Sequence, residues 1–304
     1  MCRINPKIDI AFKKLFGSEE NKDILKSFIN SVLPAHEQVK NLELKNPYNL
    51  ATYISGKSGI LDVKAQAENG VWFDVEMQIG EQLFFGKRIK YYLDKMYVDQ
   101  LDISENYSSL KKVVGIAILD FDYFPDDRYK RGITYKDIDT DERYENFNLS
   151  DIYFIELKKF GKDLKHLTDT LDRWITFLNK AHEYNKNNIP EELSVDIDVK
   201  KAIDKLEIMY LDDDEKLIYE NERKIKLDKF EEIRTAEVKG RAEGLEEGEK
   251  LGLVKGEKLG LEKGKTEGEK LAKIEIAKNC LEKNMDIETI SVLTGLSVEE
   301  IRKL

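Results

Sequence analysis

An α/β fold, with a mixed central sheet flanked by helices and a helical C-terminal extension, follows from three observations. Residues 58–78 alternate apolar and polar side chains on both sides of a turn, which marks an amphipathic hairpin. Residues 113–119 and 152–157 are short apolar runs that read as buried strands. Residues 8–17, 20–32, 84–101 and 167–181 carry apolar side chains at helical spacing. The order helix, hairpin, helix, strand, strand gives an α/β core with mixed strands.

The first helix has Asn5 and Pro6 before it, presents Ile8, Ile10, Phe12, Leu15 and Phe16, and is stopped by Gly17. The second turns Ile24, Leu25, Phe28, Ile29 and Val32 inward and is closed by Pro34. Residues 39–55 look irregular or partly extended. In the hairpin, Leu61, Val63, Ala65, Val71, Phe73, Val75 and Met77 form one set, and Asp62, Lys64, Gln66, Asp74, Glu76 and Gln78 the other. Period-two alternation places the sets on opposite faces. Glu68-Asn69-Gly70 suits a three-residue loop with Gly70 left-handed, so Ala67 faces Val71 and Asp62 faces Glu76. A two-residue loop would pair Asp62 with Met77 and mix the faces.

Asp62, Asp74 and Glu76 then share a face. Like charges across a sheet repel unless a cation sits between them, and hard divalent ions take such oxygen ligands. The same pattern also describes the solvent-facing side of an ordinary hairpin. Farther on, residues 113–119 end in the Asp120-Phe121-Asp122 turn, and the helix at 167–181 carries Leu171, Trp174, Ile175 and Leu178, which makes Trp174 a core residue rather than a base-stacking platform.

The chain has 304 residues, 41% hydrophobic and 36% charged, enough for one sizeable core and a charged extension. Its net charge of -10 argues against coating nucleic acid by bulk electrostatics. Local basic patches occur at Lys13, Lys14 and Lys22 and at Lys87, Arg88 and Lys90, where solvated helix faces are the alternative. Cys2 and Cys280 lack paired spacing and partner histidines, so neither a disulfide framework nor a zinc site is expected. There is no apolar signal core and no run approaching the roughly 18 apolar residues of a membrane span. A cytoplasmic protein without a membrane partner is the expectation.

Residues 195–236 read as helical and highly charged. Glycine then recurs at every fourth position from Gly240 to Gly268. As a helix this segment is expensive, at about 1 kcal/mol per glycine relative to alanine. A marginal helical linker and a self-association helix are both compatible with it. Residues 286–301 have a helix-turn-helix rhythm, but the second helix is acidic at its start and poor in base-reading residues, which favours a small protein-interaction bundle.

Several stretches together resemble the PD-(D/E)XK nuclease family transposases, the Rpn family of recombination-promoting nucleases. They are residues 5–33 (NPKIDIAFKKLFGSEENKDILKSFINSVL), 59–78, 82–101 (QLFFGKRIKYYLDKMYVDQL), 113–124 (VVGIAILDFDYF) and 153–160 (YFIELKKF), with the glycine-rich tail and terminal bundle. The resemblance covers nearly the whole chain. It implies a restriction-endonuclease-like core with Asp62 as first acid, Glu76 as second and Gln78 where a lysine usually stands, an E-x-Q variant. Leu61 replaces the signature proline. An amide can orient water but is no useful base near neutral pH.

The implied activity is Mg²⁺-dependent hydrolysis of DNA phosphodiesters, with one or two ions or another divalent metal held by Asp62, Glu76 and the Met77 carbonyl. Asp9 supplies a further acid or is simply a helix-start residue favoured by the dipole. Lys87, Arg88 and Tyr91 contact the DNA backbone or serve packing and solvation. The alternative is a nuclease-derived DNA-binding or regulatory protein with little cleavage, assembled through its tail. The expected segments are 1–182 (nuclease-like), 183–236 (charged helical extension), 237–270 (glycine repeat) and 271–304 (terminal bundle), with DNA as partner and a homo-oligomer formed through the C-terminal helices.

Overall fold

The computed structural model describes residues 4–48, 50, 63–102, 105–184, 187–208 and 211–304. Two amphipathic helices come first, α1 (Asp9–Phe16) and α2 (Lys22–Val32), and Gly17 ends α1 by donating its N–H to the Lys13 carbonyl at 2.8 Å. β1 (Leu42–Leu44), β2 (Val63–Ala67), β3 (Trp72–Gln78), α3 (Phe85–Val98) and β4 (Val113–Leu119) follow. Next come β5 (Lys130–Thr134), β6 (Ser150–Glu156) and α4 (Thr170–Lys180), the last N-capped by Asp169. α5 (Ile197–Ile208), α6 (Asp213–Glu282), α7 (Ile287–Thr294) and α8 (Val298–Ile301) complete the helices that concern function.

The strands form one mixed sheet in the order β1-β2-β3-β4-β6-β5. β3, β4 and β6 run parallel in its centre, while β2 and β5 pair antiparallel to their neighbours. A parallel pair needs a crossover, and α3 provides it between β3 and β4.

The hairpin register is the one its turn demands. Val63 pairs with Val75, Lys64 with Asp74 and Ala65 with Phe73, and Gly70 has φ 87°, a conformation open to glycine at little cost. Ala67 and Val71 close the ladder beside the loop, with the Ala67 N–H donating to the Val71 carbonyl at 2.9 Å. Residues 58–62 of the expected hairpin, including Leu61 and Asp62, lie outside the described residues.

Each face of the sheet has its own core. Phe73, Val75, Val114, Ile116, Ile118 and Ile155 pack with Phe12, Phe16, Phe28 and Trp174 from α1, α2 and α4. α5 adds Val199, Ala202, Ile203 and Leu206 to that core. Phe85, Ile89, Leu93 and Met96 of α3 cover the other face against Val113, Ala117, Leu119, Ile152 and Phe154. The polar side of the hairpin is therefore not a uniformly solvated surface: on β3 Asp74 and Glu76 are buried, while Lys64, Gln66 and Gln78 are half-buried. Gly115 makes the close approach possible: a Cβ there would come 2.7 Å from Leu93 Cδ1.

Two strands went beyond the periodicity of the sequence. β1 has three residues inside the stretch expected to be irregular or partly extended, and β5 is an edge strand with no buried residue and no apolar alternation. Both are defined by the partner they pair with rather than by their own pattern.

The chain divides into two units, residues 1–226 and 227–304. In the second, helix α6 continues through the glycine repeat, and a Cβ built at any glycine from Gly240 to Gly268 meets no atom within 4 Å. Its end packs a small core of its own, Ala277, Ile290, Leu296 and Ile301. Asp286 caps α7, Gly295 ends it with φ 70°, and Ser297 with Glu300 forms a capping box on α8.

Candidate active site

Strand β3 carries the acids. Its alternation sends Asp74 and Glu76 to the α3 side, and parallel pairing sets them opposite Gly115 and Ala117 of β4. These small residues leave room for the carboxylates, which are 1% and 2% exposed. A buried carboxylate needs a compensating charge or hydrogen bonds.

For Glu76 that charge comes from the first turn of α3. Arg88 Nη2 donates to Glu76 Oε1, and Arg88 Nη1 donates to Gln82 Oε1 at 2.6 Å. The guanidinium also lies 5.8 Å from the centre of the Phe85 ring. The second carboxylate oxygen, Glu76 Oε2, is buried and has no hydrogen-bond partner among the described residues. Burial pushes the Glu76 carboxyl above its ordinary value; Arg88 and then Lys13 pull it back, and Asp9 pushes it up further.

The influence of Asp9 and Lys13 brings α1 into the site. Lys13 Nζ pairs with Asp9 Oδ2 at 3.1 Å, one helical turn apart. The start of α1 is fixed by distant groups: the Ile10 N–H donates to Glu222 of α6 at 3.1 Å, and Lys7 pairs with Asp120, just beyond β4, at 2.8 Å. Glu222 supplies negative charge where the helix dipole favours it. No local pattern could have announced it, since the two residues are 212 positions apart.

Gln78, at the end of β3, accepts the Asp120 N–H at its carbonyl, at 2.9 Å, and donates Nε2 to the Gly80 carbonyl at 2.8 Å. Its side-chain oxygen remains available as an acceptor. Met77 directs its side chain to the opposite core. Of the three residues expected at the DNA backbone, Arg88 is spent on Glu76 and Gln82. Lys87 sits 5.3 Å from the Phe84 ring centre, and Tyr91 is exposed beside Tyr92.

The structure thus pairs Glu76 with Arg88, brings the charges of Lys13 and Asp9 near enough to act on it, and keeps Asp74 and Gln78 on the same face of β3. Sequence reasoning missed Gln82 as the support of Arg88 and placed Lys13 only in a basic patch. Asp62 lies outside the described residues. Among the described residues no group of three or more His, Cys, Asp or Glu side chains is gathered to hold a metal. Glu76 Oε2 nevertheless fits a hard cation, because an unpartnered carboxylate oxygen is an anionic ligand already taken out of water.

Two family descriptions match this chain. PD-(D/E)XK nuclease family transposase spans residues 6–236, and Rpn/YhgA-like nuclease family, C-terminal HTH domain, spans residues 270–304. No curated protein and no solved structure matches. The second description bears out the helix-turn-helix rhythm of residues 286–301: α7, the Gly295 turn and α8 fall within its match, and they pack the small core of Ala277, Ile290, Leu296 and Ile301. A mixed sheet flanked by helices, acids on the hairpin strand and a match over most of the length agree, and the chain belongs to the PD-(D/E)XK nuclease family transposases.

Proposed function

We propose that this protein is a divalent-metal-dependent DNA endonuclease whose centre is Glu76. The observation that carries the reading is the state of that carboxylate: buried, bound through one oxygen to Arg88, and with the other oxygen unpartnered. Nothing in the packing of a structural core calls for such a group, since leaving a buried acceptor unpaired costs about 1–3 kcal/mol.

Glu76 Oε2 and, on the sequence register, Asp62 would hold the ion, with the Met77 carbonyl as the third expected donor. A bound divalent cation supplies Lewis acidity, acidifies the water it holds and offsets phosphate charge. Gln78 has one amide N–H engaged by the Gly80 carbonyl, and its side chain can orient a water but takes no proton from it. Asp9, held by Lys13 and near enough for its charge to act on Glu76, is a second carboxylate for this site. Lys87 and Tyr91 stand exposed on α3 for backbone contacts. Mg²⁺, the octahedral ion best suited to few carboxylates, is the proposed metal.

Purified protein should nick or linearise supercoiled plasmid in Mg²⁺ and stop in EDTA. Asp62→Ala should lose cleavage by at least about a hundredfold, as loss of a ligand or its support commonly does. Equal survival of plasmid with wild type and Asp62→Ala across a range of Mg²⁺ would leave the regulatory reading in its place. That second reading draws on Gln78, whose amide replaces the cationic side chain of the family pattern.

Assembly through the tail belongs to the same proposal. Leu245, Leu251, Leu253, Leu259 and Leu261 are all more than half exposed along α6, and a helix that leaves its leucines in water is short of a partner. Light scattering on a chain ending before Gly240 should give a smaller oligomer than the full chain; equal numbers of subunits would remove this role. No helix among the described residues is long and apolar enough to cross a membrane, and a cytoplasmic setting with DNA as partner completes the reading. Recombination, mobile-element movement and defence are associations of the family; no residue described above performs strand transfer.

A further inference from the structure

We propose that Arg88 is a positioning residue that sets the metal preference of the centre by making Glu76 a one-oxygen ligand. The inference rests on the reading of Glu76 as a metal ligand. Its geometric basis is the asymmetry of the carboxylate. Oε1 is occupied by Arg88 Nη2 and Oε2 is buried with no partner among the described residues.

Arg88 is well fixed for this task. Gln82 receives its other terminal nitrogen at 2.6 Å, and Phe85 lies beneath the guanidinium, so the group is held from two sides by the start of α3. Its side chain is 30% exposed while that of Glu76 is 2% exposed, so the pair has a wet end and a dry end. A guanidinium donates and never accepts, and it stays charged at any pH the protein meets. Arg88 therefore sets a donor and a positive charge on Oε1, which disfavours a cation there for as long as it remains in place.

The consequence distinguishes ions of equal charge. Ca²⁺ takes six to eight oxygens and commonly uses both oxygens of a carboxylate, whereas Mg²⁺ requires a tight octahedron and accepts one oxygen from each. With Oε1 held by Arg88, Ca²⁺ loses a ligand that Mg²⁺ does not need. Removing Arg88 opens the second oxygen and also removes a positive charge. The charge term strengthens both ions alike, so the ratio of the two affinities isolates the geometric term.

The test is equilibrium titration calorimetry of Mg²⁺ and Ca²⁺ into full-length protein without DNA, for wild type, Glu76→Gln and Arg88→Met. Arg88→Met should shift the Ca²⁺ to Mg²⁺ affinity ratio toward Ca²⁺ by about tenfold, the scale on which outer-shell partners act on metal affinity. Arg88→Lys, which restores a donor to Oε1, should recover part of the preference. If Arg88→Met does not fold, Gln82→Ala should move the ratio the same way by loosening Arg88. An unchanged ratio in these variants, with binding still abolished by Glu76→Gln, overturns the role of Arg88 alone. Wild type that binds neither ion, or binds them as well as Glu76→Gln does, overturns the metal reading of Glu76 and this inference with it.

Discussion

Glu76→Gln should abolish metal-dependent cleavage and at the same time raise the melting temperature of the metal-free protein at neutral pH. The stability gain follows from the direction of the Glu76 shift. Burial lifts the carboxyl above its ordinary value of 4.5, against the opposing pull of Arg88 and Lys13. The folded protein therefore holds this proton more tightly than the unfolded chain does. As pH rises from about 4.5, the unfolded chain releases the proton first, and stability falls until the folded-state value has been passed. Above that value the whole penalty is present, and below 4.5 it is absent.

Glutamine keeps an acceptor for Arg88 and has no charge to bury. The gain in melting temperature should thus be present at pH 7 and shrink toward zero as the pH is brought below 4.5. Saturating Mg²⁺ should stabilise wild type and leave Glu76→Gln unmoved, because a ligand that binds only the native state raises its stability. A variant less stable than wild type at pH 7 would show that Glu76 serves the fold. Function obtained at the expense of stability is the expected pattern at an active centre.

Trp174→Ala should destabilise the first unit by about 3–5 kcal/mol. Trp174 is fully buried on α4, with its ring centre 5.8 Å from that of Phe16, 5.9 Å from Phe28 and 5.5 Å from Phe177. The indole joins α1, α2 and α4 behind the sheet, so its removal opens a cavity that three helices must collapse around. A domain has about 5–15 kcal/mol in total, and the loss is a large share of it. Trp174→Phe should cost much less. It keeps most of the ring and discards an indole N–H that has no partner among the described residues. Urea midpoints of the two variants measure the difference, and a shift under about 1 kcal/mol for Trp174→Ala would contradict this view of the core.

The hairpin shows what a sequence discloses. Its register depends on a turn that only Gly70 suits and on alternation that tolerates no slip by one residue, and both are local. The same holds for α1, α2 and β4, whose apolar spacing is strong enough to define them. Trp174 was legible as core for the same reason. The site was legible only in its acids. Glu76 stands out as a carboxylate on an apolar strand, but the α3 cover that buries it is a tertiary fact. So is the choice of Arg88, twelve positions away, as its partner. Lys13 and Glu222 reach the site or its support through packing of helices that no repeat connects. The short edge strand β5 escaped because pairing, not pattern, makes it a strand, and β1 was legible only as part of an irregular or partly extended stretch.

The account turns on Glu76 as the metal-dependent centre of a nuclease. Its most direct test is supercoiled plasmid incubated with wild type and with Glu76→Ala over a Mg²⁺ titration, with an EDTA control. Cleavage should rise with Mg²⁺ in wild type, stop in EDTA and fall by about a thousandfold or more in the variant, the scale of lost metal-centred catalysis. Equal cleavage by the two proteins, or cleavage by wild type that EDTA leaves unchanged, would contradict it.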